Sequence, residues 1–209
     1  MGRTYKTPIG EYPSVTTVLA LRDKSGPLMG WACKMGAEAV NKYLDELNGE
    51  DIDRTKIINL IKGAFRQKQA GALDIGSKVH NAIEIFTKAS TRDIGLYHVK
   101  GLPEYADIIK PFSAFLKWHD NVGFKLIYGE QEVWSDHHKF AGTLDAIAIV
   151  NGRKTLVDYK SSSAFRSDYV QQIAAYNVAF EELKTEEVNA WGCLRLDKET
   201  GLPEWKEIS

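Results

Sequence analysis

Hydrophobic residues recur at helical spacing through the first 122 residues of the chain. Ser14 is placed to cap a short helix over Val15–Leu21, and Pro27 suits the first turn of a helix that extends to about Leu47. Apolar positions three and four residues apart predict further helices. These cover Asp53–Arg66, Ser77–Lys88 and Pro103–Val122, and glycines around residues 95–101 indicate a loop between the last two.

The pattern changes to strand-like alternation after residue 122. The predicted strands are Lys125–Trp134, Phe140–Val150, Lys154–Lys160, Val188–Leu196 and Glu204–Ile208, with one helix over Ser167–Leu183. We therefore expect an α/β protein with a mainly helical N-terminal part, residues 1–122, and an α/β core, residues 123–209. With 209 residues, of which 44% are hydrophobic, the two parts are expected to form one compact domain.

The Asn151-Gly152 pair is a strong hairpin signal, and it predicts which residues of the flanking strands lie opposite each other. A two-residue turn sets a register in which Asp145 lies opposite Asp158. Because side chains alternate along a strand, Lys160 shares their face of the sheet. Apolar neighbours in both strands indicate that this face is covered.

Two carboxylates that face each other in a covered sheet repel, and each costs free energy to bury. A divalent cation between Asp145 and Asp158 would remove that conflict, and carboxylate oxygens suit Mg²⁺ or Mn²⁺. Lys160 would then direct its ammonium at whatever the metal binds. The alternative is a carboxylate pair bridged by Lys160 itself or by a distant arginine.

The motif GTLD, followed by a strand, a turn and VDYK, resembles the signature of the PD-(D/E)XK nucleases. Asp145 matches the first acidic position, Asp158 the second and Lys160 the lysine. Leu144 stands where the signature usually has proline, as is common in the RecB-like branch of that superfamily. The resemblance implies a restriction-endonuclease-like core, which is a mixed central sheet flanked by helices, preceded by an N-terminal helical arm.

Three further features are similar to the RecB-like branch. QQIAAY places Gln172 and Tyr176 on one helix face, as in the Q-x-x-x-Y pattern of the branch. His80 and Glu84 share a face of an earlier helix, where the branch carries a histidine that approaches a metal. Glu132 stands on the strand before the core hairpin, where the branch often has a glutamate. Each of these residues taken alone also fits an ordinary surface or core position.

The resemblance implies an Mg²⁺- or Mn²⁺-dependent deoxyribonuclease that hydrolyses phosphodiester bonds and leaves a 5′-phosphate. The metal ligands that it implies are His80, Asp145, Asp158 and the carbonyl of Tyr159. The other catalytic residues are Lys160, Gln172 and Tyr176, with Glu84 and Glu132 as supporting residues beyond the metal ligands. YPSVTTVL and the region of Trp31 are also similar to phage exonucleases and the mitochondrial genome-maintenance exonuclease.

The expected activity is therefore an exonuclease that prefers single-stranded DNA with free ends, in DNA repair or recombination. Two alternatives stay open: a structure-specific or restriction-like endonuclease, and a non-catalytic DNA-binding subunit on a nuclease fold. The formal net charge of −1 means that any DNA surface must be a local concentration of basic residues.

Basic and aromatic residues do mix in the helical half, as phosphate contacts and base stacking on a single strand require. They are Arg3, Lys6, Arg22, Lys24, Lys34, Lys62, Arg66, Lys68 and Lys78, with Tyr5, Tyr12, Trp31 and Phe65. The alternative is solvated helix faces over aromatic core residues.

Cysteine usage and hydropathy bear on the compartment. Cys33 and Cys193 are too few for an iron–sulfur cluster, which needs four ligands, and they fit a reducing environment. No signal peptide is evident, and no apolar run approaches the roughly 20 residues that span a bilayer. We expect a cytoplasmic protein of a bacterial or phage-infected cell, without membrane contact and monomeric.

Overall fold

The computed structural model describes residues 2–21, 25–88 and 103–208, without the side chains of residues 25–27 and 103–105. The chain divides into two compact units. One consists of Met1–Leu21 together with Ile75–Ser209, and the other of Arg22–Asp74. The loop expected around residues 95–101 lies outside the described residues.

After a first pair of strands, most of the described helices precede the strands of the sheet, broadly as the change of period predicts. In chain order they are β1 (Thr4–Thr7), β2 (Gly10–Pro13), α1 (Val15–Leu19), α2 (Ser25–Asp45), α3 (Arg54–Lys88), a 3₁₀ segment (Pro103–Ile108), α4 (Ile109–Val122), β3 (Lys125–Ser135), β4 (Phe140–Val150), β5 (Arg153–Lys160), α5 (Ser167–Lys184), β6 (Ala190–Leu196) and β7 (Pro203–Ile208). The protein is therefore mixed α/β.

Helix α3 continues over 35 residues, where the sequence predicted two helices, Asp53–Arg66 and Ser77–Lys88. The segment between them, residues 67–76, contains two glycines and no proline, and its other residues are mostly good helix formers. A glycine inside a helix costs about 1 kcal/mol relative to alanine, which weakens the helix without breaking it. The predicted break was wrong for this reason.

Strands β3 to β7 form one mixed sheet in the order β3-β4-β5-β6-β7. Strands β5 and β6 are parallel and are joined through α5, whereas the other neighbours are antiparallel. The predicted turn register is confirmed, since Val150 lies opposite Arg153. Asn151 and Gly152 have φ of 50° and 77°, the positive values that a type I′ turn needs at both positions.

The five-stranded sheet separates two apolar cores. On one face, here called the α3 face, α3 and α4 pack through side chains that include Ile83 and Phe115. On the other, the α5 face, α1 and α5 pack through side chains that include Val15 and Phe180. The side chains of β5 point alternately into the two cores, and that of Tyr159 points to the α3 face. The sheet is thus flanked by helices on both sides.

The N-terminal residues form a two-stranded hairpin, β1 and β2, which the sequence patterns did not predict. Each strand has four residues, too few for a clear alternation. Ser14 caps α1 as predicted, because its Oγ accepts a 3.0 Å hydrogen bond from the N–H of Thr17. Among the described residues, no helix combines the length and the apolar character that crossing a membrane demands.

Candidate functional site

His80, on α3, directs both of its ring nitrogens at groups from the sheet. Its Nδ1 is 3.3 Å from Oδ1 of Asp145 and 3.9 Å from Oε1 of Glu130. Its Nε2 is 3.1 Å from the backbone carbonyl oxygen of Tyr159. His80, Glu130 and Asp145 each offer a ligand atom, and these atoms lie within 4.8 Å of one another. One helix and three adjacent strands therefore converge on one point.

Glu130 reaches this point through an unusual backbone conformation. Its φ is 46°, in the left-handed region that residues with a side chain rarely adopt. The residues on either side of it keep a constant antiparallel register with β4, which leaves Glu130 directly opposite Asp145. Such a conformation costs on the order of 1–3 kcal/mol and persists where the surroundings impose it.

Asp145 departs from the strand pattern at the same place. Leu144 and Ile147 pack in the same core, although strict alternation over three residues would put them on opposite faces. Regular pairing of β4 with β5 ends at the residue after Asp145. Its Oδ2 instead accepts a 2.7 Å hydrogen bond from the backbone N–H of Tyr159. The carboxylate is fixed by the backbone of β5 rather than by a regular cross-strand pair with Asp158.

Asp158 is the most buried acidic group of the site, with only 1% of its surface exposed. Its Oδ2 is 2.6 Å from Nζ of Lys160 and 4.0 Å from the thiol sulfur of Cys193. Its Oδ1 is buried and has no hydrogen-bond partner among the described residues. Burying a carboxylate oxygen without a hydrogen-bond partner costs free energy, so this atom is the best candidate in the site to bind a ligand.

The pKa values of the two aspartates are shifted in opposite directions. Burial raises the pKa of Asp158 to about 6, since the charge of Lys160 offsets it only in part and that of Asp145 adds to it. Burial would also raise the pKa of Asp145, but the charges of His80 and Lys160 and the amide of Tyr159 bring it below its ordinary value. Asp145 is therefore held as an anion, whereas the ionised form of Asp158 is destabilised.

The two cationic groups of the site are both held in the charged form. Burial opposes the charge of His80, but the carboxylates of Asp145 and Glu130 outweigh it and raise the pKa of His80 to about 10. Burial likewise opposes the charge of Lys160, and the charges of Asp158 and Asp145 raise its pKa above the ordinary value. At neutral pH the site therefore contains an imidazolium and an ammonium against its carboxylates.

Gln172 and Tyr176 lie together on α5, as their spacing predicts. Nε2 of Gln172 donates a 2.9 Å hydrogen bond to the hydroxyl of Tyr176. Burial raises the pKa of Tyr176 to about 12, so its hydroxyl stays protonated. The ring lies so close to β4 that a Cβ on Gly142 would be 2.5 Å from its Cε1. The glycine of the GTLD motif is thus required by the position of Tyr176.

Of the two supporting glutamates that the resemblance implies, one lies at the cluster. Glu84 lines the same narrow pocket as His80 and Glu130, and its carboxylate pairs with Lys88. Glu132 is exposed on β3, opposite Thr143. The glutamate of β3 that joins the cluster is Glu130, which the sequence analysis missed.

The basic and aromatic residues of the N-terminal half have differing environments. Tyr12 is 7% exposed and donates a hydrogen bond to Asp136, so it cannot stack on a base. Tyr5 is half-buried, and its hydroxyl is 3.2 Å from that of Thr143. Within the Arg22–Asp74 unit, Trp31 keeps 36% of its surface exposed and contacts Phe65 edge-on at 4.9 Å. Arg22 and Lys24 lie outside the described residues.

The site combines a cluster of His80, Glu130 and Asp145 with the largely buried ion pair of Asp158 and Lys160 on β5. Such a set can bind a small cation and, through it and Lys160, an anionic ligand such as a phosphate. No protein-family model matches the chain, and no curated protein matches it either.

Proposed function

We propose that this protein is a metal-dependent nuclease that hydrolyses phosphodiester bonds of DNA. The observation that carries the proposal is the unpartnered Oδ1 of Asp158, buried in an acidic site that also contains Lys160. A buried anionic oxygen without a partner is unfavourable unless a ligand binds it. A divalent cation together with a phosphate satisfies both the carboxylates and the neighbouring ammonium.

The donor atoms present fit Mg²⁺ or Mn²⁺. Glu130, Asp145 and Asp158 offer carboxylate oxygens and Tyr159 a backbone carbonyl, the oxygen donors that these ions prefer. The imidazole of His80 adds a nitrogen donor, which favours Mn²⁺ over Mg²⁺. The imidazole of His80 lies between Asp145 and the Tyr159 carbonyl. A bound cation would replace the positive charge of the imidazole.

Each residue of the site has a defined part in the proposed hydrolysis. When bound, a divalent cation supplies Lewis-acid polarisation of a phosphate ester and makes water more acidic. The carboxylates of Asp145 and Asp158 would hold such a cation. Lys160 keeps its proton and offers positive charge to the oxygens of the phosphate, on which negative charge develops in the transition state. Gln172 and Tyr176 present hydrogen-bonding groups from α5.

The proposed fold is the restriction-endonuclease-like core with an N-terminal helical arm. A mixed five-stranded sheet with helices on both faces is what such a core requires. The order of the site residues along the chain, from His80 through Asp145 and Asp158 to Tyr176, supports the RecB-like branch, which the motifs resemble.

The proposed substrate is single-stranded DNA with a free end. Within the Arg22–Asp74 unit the first part of α3 is basic, with Arg54, Lys56, Lys62, Arg66 and Lys68. The contacts of basic side chains with phosphates weaken as the salt concentration rises. An exposed ring such as that of Trp31 can stack on an unpaired base, which contributes about 1–3 kcal/mol to binding. The free-end requirement follows from the resemblance to exonucleases.

The experiment that tests the proposal compares linear and circular DNA of equal length, single- and double-stranded, with Mg²⁺, with Mn²⁺ and with chelator. We expect metal-dependent digestion of the linear single strand. Asp158→Asn, which removes the charge at almost constant shape, should abolish it. Asp136→Asn, a matched change on the β3–β4 turn, should not.

Each other outcome selects a different function. Equal cutting of the circle would favour an endonuclease. DNA binding that Asp158→Asn leaves intact, without cleavage by the wild type in either metal, would favour a non-catalytic subunit. Absence of both binding and cleavage would refute the proposal.

A further inference from the structure

The ammonium of Lys160 has two neighbours of different chemistry. One is Oδ2 of Asp158, at 2.6 Å, and the other is the face of the Tyr169 ring, whose centroid is 5.3 Å from Nζ. The Lys160 side chain is 18% exposed, so water screens the second contact only weakly. A cation within about 6 Å of an aromatic face is attracted by the quadrupole of the ring, and more strongly where water is excluded.

Tyr169 is itself held in place. It is the third residue of α5, half-buried, and its ring packs against the core on the α5 face. Its backbone N–H donates a 3.1 Å hydrogen bond to the carbonyl of Arg166, which fixes the start of the helix. The preceding loop is tied to the sheet, because Arg195 donates to the carbonyl of Ser163 at 3.3 Å. The ring therefore presents a stable surface to Lys160.

The two contacts of Lys160 respond differently to a ligand. Asp158 is the carboxylate that a cation would engage, and its negative charge would then be shared between that cation and Lys160. The aromatic contact carries no net charge and offers no metal ligand, so it persists when Asp158 is engaged. Without it, the flexible four-carbon stem of a lysine has several rotamers available.

We propose that Tyr169 is a positioning residue, which holds the ammonium of Lys160 in the site through the face of its ring. The inference rests on the proposed nuclease function for its catalytic meaning, but not for the contact itself. The hydroxyl of Tyr169 plays no part, so phenylalanine should replace tyrosine without loss. An aliphatic residue of similar bulk should not.

The test compares Tyr169→Leu with Tyr169→Phe in metal-dependent digestion of linear single-stranded DNA. Loss of one cation–π contact predicts a fall in kcat of about two- to thirtyfold for Tyr169→Leu, with KM little changed. Tyr169→Phe should restore wild-type kcat. The rise in melting temperature that Mn²⁺ produces should be the same in all three proteins, because Tyr169 is no metal ligand.

A matched control separates this role from simple packing. Phe165, four residues earlier, packs against the same core, and its ring faces a different cation, Nζ of Lys206, at 5.8 Å. Phe165→Leu removes a comparable ring and should leave kcat unchanged. A kcat for Tyr169→Leu equal to that of the wild type, or a loss that Tyr169→Phe shares, would overturn the proposal.

A second measurement does not depend on activity. Thermal unfolding of Tyr169→Leu, Lys160→Met and the double variant forms a double-mutant cycle for the contact. We expect the melting temperature to fall less on Tyr169→Leu when Lys160 has already been replaced. If the cycle shows such coupling but the protein has no nuclease activity, the proposed function is refuted while the contact between Tyr169 and Lys160 is confirmed. Additive shifts in an active nuclease would refute the inference alone.

Discussion

Raising the pH from 6.5 to 8.0 in the absence of metal should destabilise the protein through His80. Burial opposes the charge of the imidazole, but Asp145 and Glu130 outweigh it and raise the pKa to about 10, from 6.5 in an unfolded chain. A group with the higher pKa in the folded state contributes its full stabilisation below the unfolded pKa. That contribution declines as the pH rises and is lost by about pH 10.

The size of the effect follows from the window chosen. Between pH 6.5 and 8.0 the unfolded chain releases the proton while folded His80 keeps it, at about 1.36 kcal/mol for each pH unit. The free energy of unfolding should therefore fall by about 1.5–2 kcal/mol. For a chain of this length the melting temperature would drop by roughly 3–8 °C.

The assay is thermal unfolding in chelator at the two pH values, for the wild type and for His80→Gln. Glutamine keeps a polar side chain but does not titrate, so the titration of groups that do not interact with His80 cancels in the difference between the two proteins. We expect the wild type to lose more stability than the variant. Equal losses in both proteins would refute the charge that we assign to His80.

Addition of Mn²⁺ extends the same experiment to the ligand. If His80 coordinates the ion, binding must release its proton, so affinity should increase with pH. A saturating ion at 100 times its Kd stabilises the folded state by about 2.7 kcal/mol. The rise in melting temperature at one subsaturating Mn²⁺ concentration should therefore be larger at pH 8.0 than at pH 6.5. Equal rises would remove His80 from the metal ligands.

Three substitutions test other parts of the site. Lys160→Ala should lower DNA cleavage by about a hundredfold or more, the scale expected for loss of an electrostatic stabiliser; a folded variant with near wild-type turnover would contradict its role. Glu130→Gly should relieve the left-handed backbone but also remove a carboxylate that stabilises the charge of His80, so metal-free stability should change by less than about 1 kcal/mol, while Mn²⁺ binding measured by calorimetry weakens. Gly142→Ala should cost about 1–3 kcal/mol in chemical unfolding because the new methyl meets Tyr176, and Tyr176→Leu should recover part of it.

The sequence predicts the part of the fold that depends on local patterns. The Asn151-Gly152 turn specified the β4–β5 register, because such a turn accepts only one pairing of its flanking residues. Asp158 and Lys160 lie on one strand face because side chains alternate along a strand, and Oδ2 of Asp158 is 2.6 Å from Nζ of Lys160. The spacing of Gln172 and Tyr176 likewise predicted their proximity, which a hydrogen bond confirms.

The choice of glutamate on β3 was within reach of the same reasoning. The polar turn before β4 has four residues, and the structure pairs Ser135 with Phe140 across it. Counting outward from that pair brings Glu130, not Glu132, opposite Asp145. The register of the β3–β4 turn thus selects the glutamate of the site, just as that of the β4–β5 turn selects its aspartates.

Other features could not be predicted from local patterns. The left-handed backbone of Glu130 has no signal in the sequence, since glutamate rarely adopts it and nothing in the residues around Glu130 marks a turn or a helix end. The pKa is raised at Asp158 rather than at Asp145 because of His80. This residue is 65 positions from Asp145 in sequence and meets it only in the folded chain. Such effects arise from the assembled site.

The paired departure of Glu130 and Asp145 from strand geometry adds no residue to either strand, since the same register continues on both sides. A ligand-binding arrangement of this kind could therefore be transferred to another protein. Substitutions alone, without insertion or deletion, could introduce it into an unrelated antiparallel strand pair, provided that a neighbouring strand offers a free backbone N–H, as Tyr159 does here. In reverse, returning these two positions to ordinary strand residues would give an inert scaffold with both cores intact.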